Sequence, residues 1–98
     1  MTARDVYNAS VLTANAAKLT SDFSTDVTEA NSLAAAKTTF LTNTPDNQGG
    51  AAFTTFDTST RNANRAWVAS RIANEMARQA SIAQAREVLR GTGDLSPA

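Results

Sequence analysis

The residues of this chain that come nearest to catalytic chemistry are three carboxylates at helical spacing. Asp22 and Asp26 stand four positions apart, and Asp26 and Glu29 three apart, steps that bring side chains together on one helix face. Two neighbouring carboxylates can divide the work of acid and base, or hold a hard cation between their oxygens. Both uses ask for more than the sequence offers. There is no histidine and no cysteine, which removes the commonest general base, the commonest transition-metal ligand, and any thiolate or disulfide. Asp46-Asn47-Gln48-Gly49 opens like a calcium loop but lacks the spaced ligands and closing Glu of an EF-hand, so it reads as a turn. The carboxylates read as a solvated acidic face, and the chain as a non-enzymatic protein with no cofactor and no metal.

Phosphate recognition is the other chemistry within reach. Residues 61–98 carry Arg61, Arg65, Arg71, Arg78, Arg86 and Arg90 against Glu75, Glu87 and Asp94. Residues 1–60 carry Arg4, Lys18 and Lys37 against Asp5, Asp22, Asp26, Glu29, Asp46 and Asp57. At about 100° per residue, Arg61, Arg65, Arg86 and Arg90 cluster on one side of a helix, where they could meet phosphates or carboxylates. Arg71 and Arg78 fall on another side, Glu75 and Glu87 interrupt the series, and the formal net charge is zero. Pairing of the basic half with the acidic half, or with a neighbour, is favoured over nucleic acid. The alternative is a nucleic-acid-associated or regulatory adaptor that works through this arginine-rich segment.

These groups sit on an expected all-α frame. Thr2 followed by Asp5 resembles a capping box with Asp in place of Glu. From there to Thr42 there is neither proline nor glycine. Apolar residues recur at Leu12, Ala16, Leu19, Phe23, Ala30, Leu33 and Phe40, a heptad-like stripe, broken at Asp26 and at Lys37, that predicts helix one over residues 3–41. Thr42 to Gly50 contains Pro45, Asn47, Gly49 and Gly50 and predicts a loop. Helix two follows over 51–90. Gly91 stands where a left-handed closing residue is wanted, Arg86 and Arg90 lie near the negative dipole end, and residues 91–98 form an irregular tail. The result is a single domain, a long antiparallel helical hairpin with each arm about 60 Å long at 1.5 Å per residue. If the Thr20–Asp26 cluster breaks helix one, the same elements make a three-helix bundle instead.

Composition says how such a hairpin is held. Of 41 residues in the hydrophobic class, 20 are alanine, and only 17 are Leu, Ile, Val or Phe. An alanine buries little, whereas a large apolar side chain contributes roughly 1.5–3 kcal/mol when fully buried. A stripe of Ala66, Ala69, Ala73, Ala77 and Ala80 would let the helix axes approach closely. The larger residues of helix two, Trp67, Val68, Ile72, Met76, Ile82, Val88 and Leu89, spread over a wider arc than one hairpin partner covers. They are the candidate interface, in which Trp67 is either the anchor or a plain core residue of a hairpin short of large side chains. The partners implied are copies of the chain itself or other structural proteins of an assembly. No apolar run approaches the roughly 18 residues of a membrane span, and the opening Met1-Thr2-Ala3-Arg4-Asp5 lacks the apolar region of a signal peptide. A soluble protein of the cytoplasm is expected.

The opening Thr2-Ala3-Arg4-Asp5-Val6-Tyr7-Asn8-Ala9, with Ala14-Asn15-Ala16-Ala17-Lys18 after it, resembles small helical structural proteins of marine tailed phages in its Ala/Thr/Asn-rich texture. The resemblance covers less than a third of the chain. It implies a virion component, of capsid or tail, present in many copies. Two other families of short helical hairpins do not fit. The bend lacks the Trp-x-Gly of one, and shares only Pro45-Asp46-Asn47 with the needle subunits of type III secretion.

Overall fold

The computed structural model describes residues 2–43 and 49–93. It contains two helices, α1 over Ala3–Asn43 and α2 over Gly49–Gly91, and no strand among the described residues. The fold is an all-α helical hairpin. Residues 44–48 of the expected loop and 94–98 of the expected tail lie outside the described residues.

The expected start of α1 is present in full. The Thr2 backbone N–H donates to the Asp5 carboxylate at 3.0 Å, and the Asp5 N–H donates to the Thr2 hydroxyl at 3.1 Å. Two N–H groups that the first turn would leave unpaired are thereby satisfied. The backbone N–H of Thr2, then its hydroxyl, hold the Asp5 carboxyl below its ordinary value of 3.8. The sign follows from linkage. A carboxyl whose pKa is lowered by folding contributes stability above its unfolded value and loses that contribution as pH falls through the folded one. Acidification below pH about 4 is therefore expected to fray the first turn of α1. Amide exchange and chemical shifts of Thr2 and Asp5 measure it, and Asp5→Ala should show no such pH dependence.

Both helices run past their expected ends. α1 continues to Asn43 and α2 begins at Gly49. Serine and threonine do not interrupt these helices because their hydroxyls donate to the carbonyl one turn back. Ser10 to Val6 and Thr13 to Ala9 are both 3.0 Å, and Thr42 to Thr38 is 2.9 Å. In α2, Thr54 reaches Gly50 at 3.0 Å and Thr60 reaches Phe56 at 2.8 Å. Nor does α1 break at Thr20–Asp26, because its two aspartates are tied to other residues, as shown below, and tertiary contact overrides weak propensity. At the far end Gly91 is still helical, and the left-handed residue is Gly93 at φ 82°. The Thr92 and Gly93 N–H groups close tight turns on the Leu89 and Arg90 carbonyls at 3.1 and 3.0 Å.

Packing divides the chain into two compact units, Met1–Asp22 with Ile72–Ala98, and Phe23–Arg71. In each, a length of α1 lies antiparallel beside a length of α2. The buried apolar residues are Ala14 and Leu89 in the first unit and Ala36, Ala52 and Ala63 in the second. The expected close-packing stripe Ala66, Ala69, Ala73, Ala77 and Ala80 stays exposed, a correction with a physical cause. The side of α2 that meets α1 is set by Ala63, Trp67, Asn74 and Arg78, which reach partners on α1 or pack against it, and those five alanines lie roughly a quarter-turn round the helix.

Candidate functional site

Polar groups hold the seam of the first unit and flank the alanines of the second. In the first, Asp22 is 7% exposed. Lys18 forms an ion pair with it one turn back along α1, and the Asn74 side-chain amide donates to it at 3.0 Å from α2. Arg78 donates from Nε to the Asn15 side-chain oxygen at 2.7 Å and from a terminal nitrogen to Glu75 at 3.0 Å. Glu75 also lies 4.0 Å from Lys18. In the second unit the Trp67 indole N–H donates to Asp26 at 2.7 Å, and Arg71 stands 3.7 Å from the same carboxylate with its guanidinium 5.3 Å from the indole centroid. Phe40 and Phe56 meet at 5.3 Å between ring centroids.

The carboxylates expected to form a solvated acidic face are thus divided. Asp22 is buried and held by Lys18 and Asn74, Asp26 is exposed but engaged by Trp67 and Arg71, and Glu29 is half-buried. The sequence does carry a signal for this. Asn15, Lys18 and Asp22 follow one another by three and four, as do Asn74 and Arg78, which is a polar stripe on each helix where a core would ordinarily be apolar. Among the described residues no three acidic side chains gather in a way that could hold a metal ion.

The large apolar side chains lie on the other side. None is fully buried, and Leu12, Leu19 and Phe23 are 69%, 72% and 71% exposed. These three, with Ala16 and Ala30, are the front of the heptad-like stripe. Leu33 and Phe40, its last members, turn half inward. On α2, Val68, Ile72, Met76 and Val88 of the candidate interface are exposed. Trp67 and Ile82 are half-buried, and Leu89 is buried within its own unit. Val88 borders an apolar groove of about 480 Å3 lined by Val6, Tyr7, Ala85 and Leu89 in the first unit.

The four arginines singled out for phosphate also separate. Arg61 pairs with Asp57 at 3.2 Å and Arg90 with Glu87 at 3.0 Å, each along its own helix. Arg65 and Arg86 are exposed and have no carboxylate within ion-pair distance among the described residues.

No family model, curated protein or solved structure matches the chain. Among the described residues, no helix is long and apolar enough to cross a membrane.

Proposed function

We propose that this chain is a non-enzymatic structural protein that works by packing its helices against other copies of itself and against a larger particle. One observation carries the reading. The hairpin closes mainly on alanines and hydrogen-bonded polar groups, with Leu89, and turns Leu12, Leu19, Phe23, Phe53, Ile72 and Met76 outward. Single exposed apolar residues are ordinary on a protein surface. An interior of alanine beneath an exterior of large side chains is not, and exposed apolar faces mark interaction surfaces.

In the first unit Leu12, Ala16 and Leu19 form an uncharged stretch of α1, which suits an apolar surface on the particle. The resemblance to marine tailed-phage proteins makes a virion, at its capsid or tail, the particle we propose; outside a virion the chain belongs in the cytoplasm.

The test is incorporation. Mass spectrometry of purified particles should find the chain in many copies. Leu12→Asp with Leu19→Asp should leave the helical circular dichroism unchanged and abolish co-sedimentation with the particles. Absence of the wild-type chain from particles would overturn the virion reading, and undiminished incorporation of the double variant would overturn the role of the α1 face.

A further inference from the structure

We propose that the segment following Gly93 lays Leu95 into the apolar groove of the first unit, where α1 begins and α2 ends. The proposal names the occupant of that groove and stands apart from the assembly reading above.

The groove, about 480 Å3, lies between the two helices. Val6 and Tyr7 form its α1 wall, Ala85, Val88 and Leu89 form its α2 wall, and Thr92 borders its end. All of them belong to one compact unit. Val6 and Val88 are 45% and 60% exposed. An apolar side chain laid between them would take both out of water.

The last turn of the hairpin aims the chain at this place. Gly93 has a left-handed φ of 82°, and its N–H donates to the Arg90 carbonyl at 3.0 Å. A helix end of the Schellman type has this arrangement. It turns the chain back, so that the residues after the glycine meet the helical residues four and five places before it. Here those are Leu89 and Val88, and both line the groove.

The sequence supplies the side chain. After Gly93, Leu95 is the one residue with a large aliphatic side chain. It stands two residues on, a reach of about 7 Å. A group tethered so closely meets the groove at an effective concentration on the order of millimolar, which a second copy matches only in concentrated solution. Charge agrees with this occupant. The Arg4 guanidinium lies 5.7 Å from the Tyr7 ring centroid, so a cation stands beside the α1 wall, and the residue before Leu95 is Asp94. Opposite charges favour that approach.

Nuclear Overhauser contacts in the full chain at low concentration read the docking. The Leu95 methyls are expected to contact the ring of Tyr7, the single tyrosine, and the Val88 methyls. A half-labelled mixture, filtered for contacts between labelled and unlabelled copies, should show none of these. Leu95→Asp should speed exchange of the Thr92 and Gly93 amides by ~10-fold, whereas Leu95→Met, similar in volume, should keep it slow. Absence of any contact from Leu95 to the groove overturns the proposal, as does unchanged exchange in Leu95→Asp. Contacts found only between labelled and unlabelled copies also overturn it, and assign the groove to a second copy instead.

Discussion

Replacing Ala14 by leucine is expected to lower the free energy of unfolding by about 2–3 kcal/mol, while shortening Leu19 to alanine should change it by less than about 0.5 kcal/mol. This reverses the usual pattern, in which truncating a large core residue costs about 2–5 kcal/mol. Both residues lie on α1 in the same compact unit, so the comparison is like for like. Ala14 is 6% exposed, and the recess beside it, about 80 Å3, is lined by Lys18, Asn74, Ala77 and Arg78. A leucine has to occupy that recess or spread the helices. In the recess its branched end displaces the side chains that hold Asp22 and Asn15, and an overpacked seam strains its rotamers. Leu19, at 72% exposed, has almost no apolar burial to lose. Urea denaturation at low protein concentration, where association does not add to stability, measures both. A Leu19→Ala chain that loses more than its Ala14→Leu counterpart would mean that the leucines, and not the alanines, hold the hairpin.

The elements were legible in the sequence because their signals are local. Thr2 and Asp5 announce the first turn, and the absence of proline and glycine to Thr42 announces one long helix. The boundaries moved outward by two residues or fewer at three of four ends, since a terminal turn takes its stability from hydroxyl and backbone contacts that spacing does not reveal. The Thr20–Asp26 cluster left helix one open to a break, and what closes that choice is contact with residues more than 40 positions away: Asp22 with Asn74, Asp26 with Trp67.

The direction in which each face points was harder to read. Periodicity shows that Leu12, Ala16, Leu19 and Phe23 share a side of a helix, yet it cannot say whether that side meets the other arm of the hairpin. The choice falls to the rest of the wheel. Asn15, Lys18 and Asp22 also share a side, and α2 offers Asn74, Glu75 and Arg78 in antiparallel order. Matching polar stripes satisfy one another inside the seam, and that leaves the apolar stripes outside. The same logic divides the candidate interface. Val68, Ile72 and Met76 fall outward, whereas Leu89 falls on the seam side and Trp67 is drawn there by its bond to Asp26.

Asp22→Ala is expected to cost about 2–4 kcal/mol of stability, because its carboxylate is the centre of the first unit's seam. Removing it leaves the Lys18 ammonium and the Asn74 amide without their shared acceptor in a half-buried place. Breaking a buried pair by deleting one member is costly for that reason, although the escape of Lys18, which is 28% exposed, toward solvent moderates the loss. Asp22→Asn separates the two contributions. Its side-chain oxygen can still accept from Asn74 while the ion pair with Lys18 is lost, so a smaller drop of about 1–2 kcal/mol is expected. Asp26→Asn at the exposed second carboxylate should cost less than about 1 kcal/mol, the range of surface ion pairs. Denaturant titrations of the three variants, followed by circular dichroism, rank them directly. If Asp22→Ala unfolds at the same midpoint as the parent chain, the polar seam is not what joins α1 to α2. The outward apolar faces would then have to be reconsidered as the seam itself.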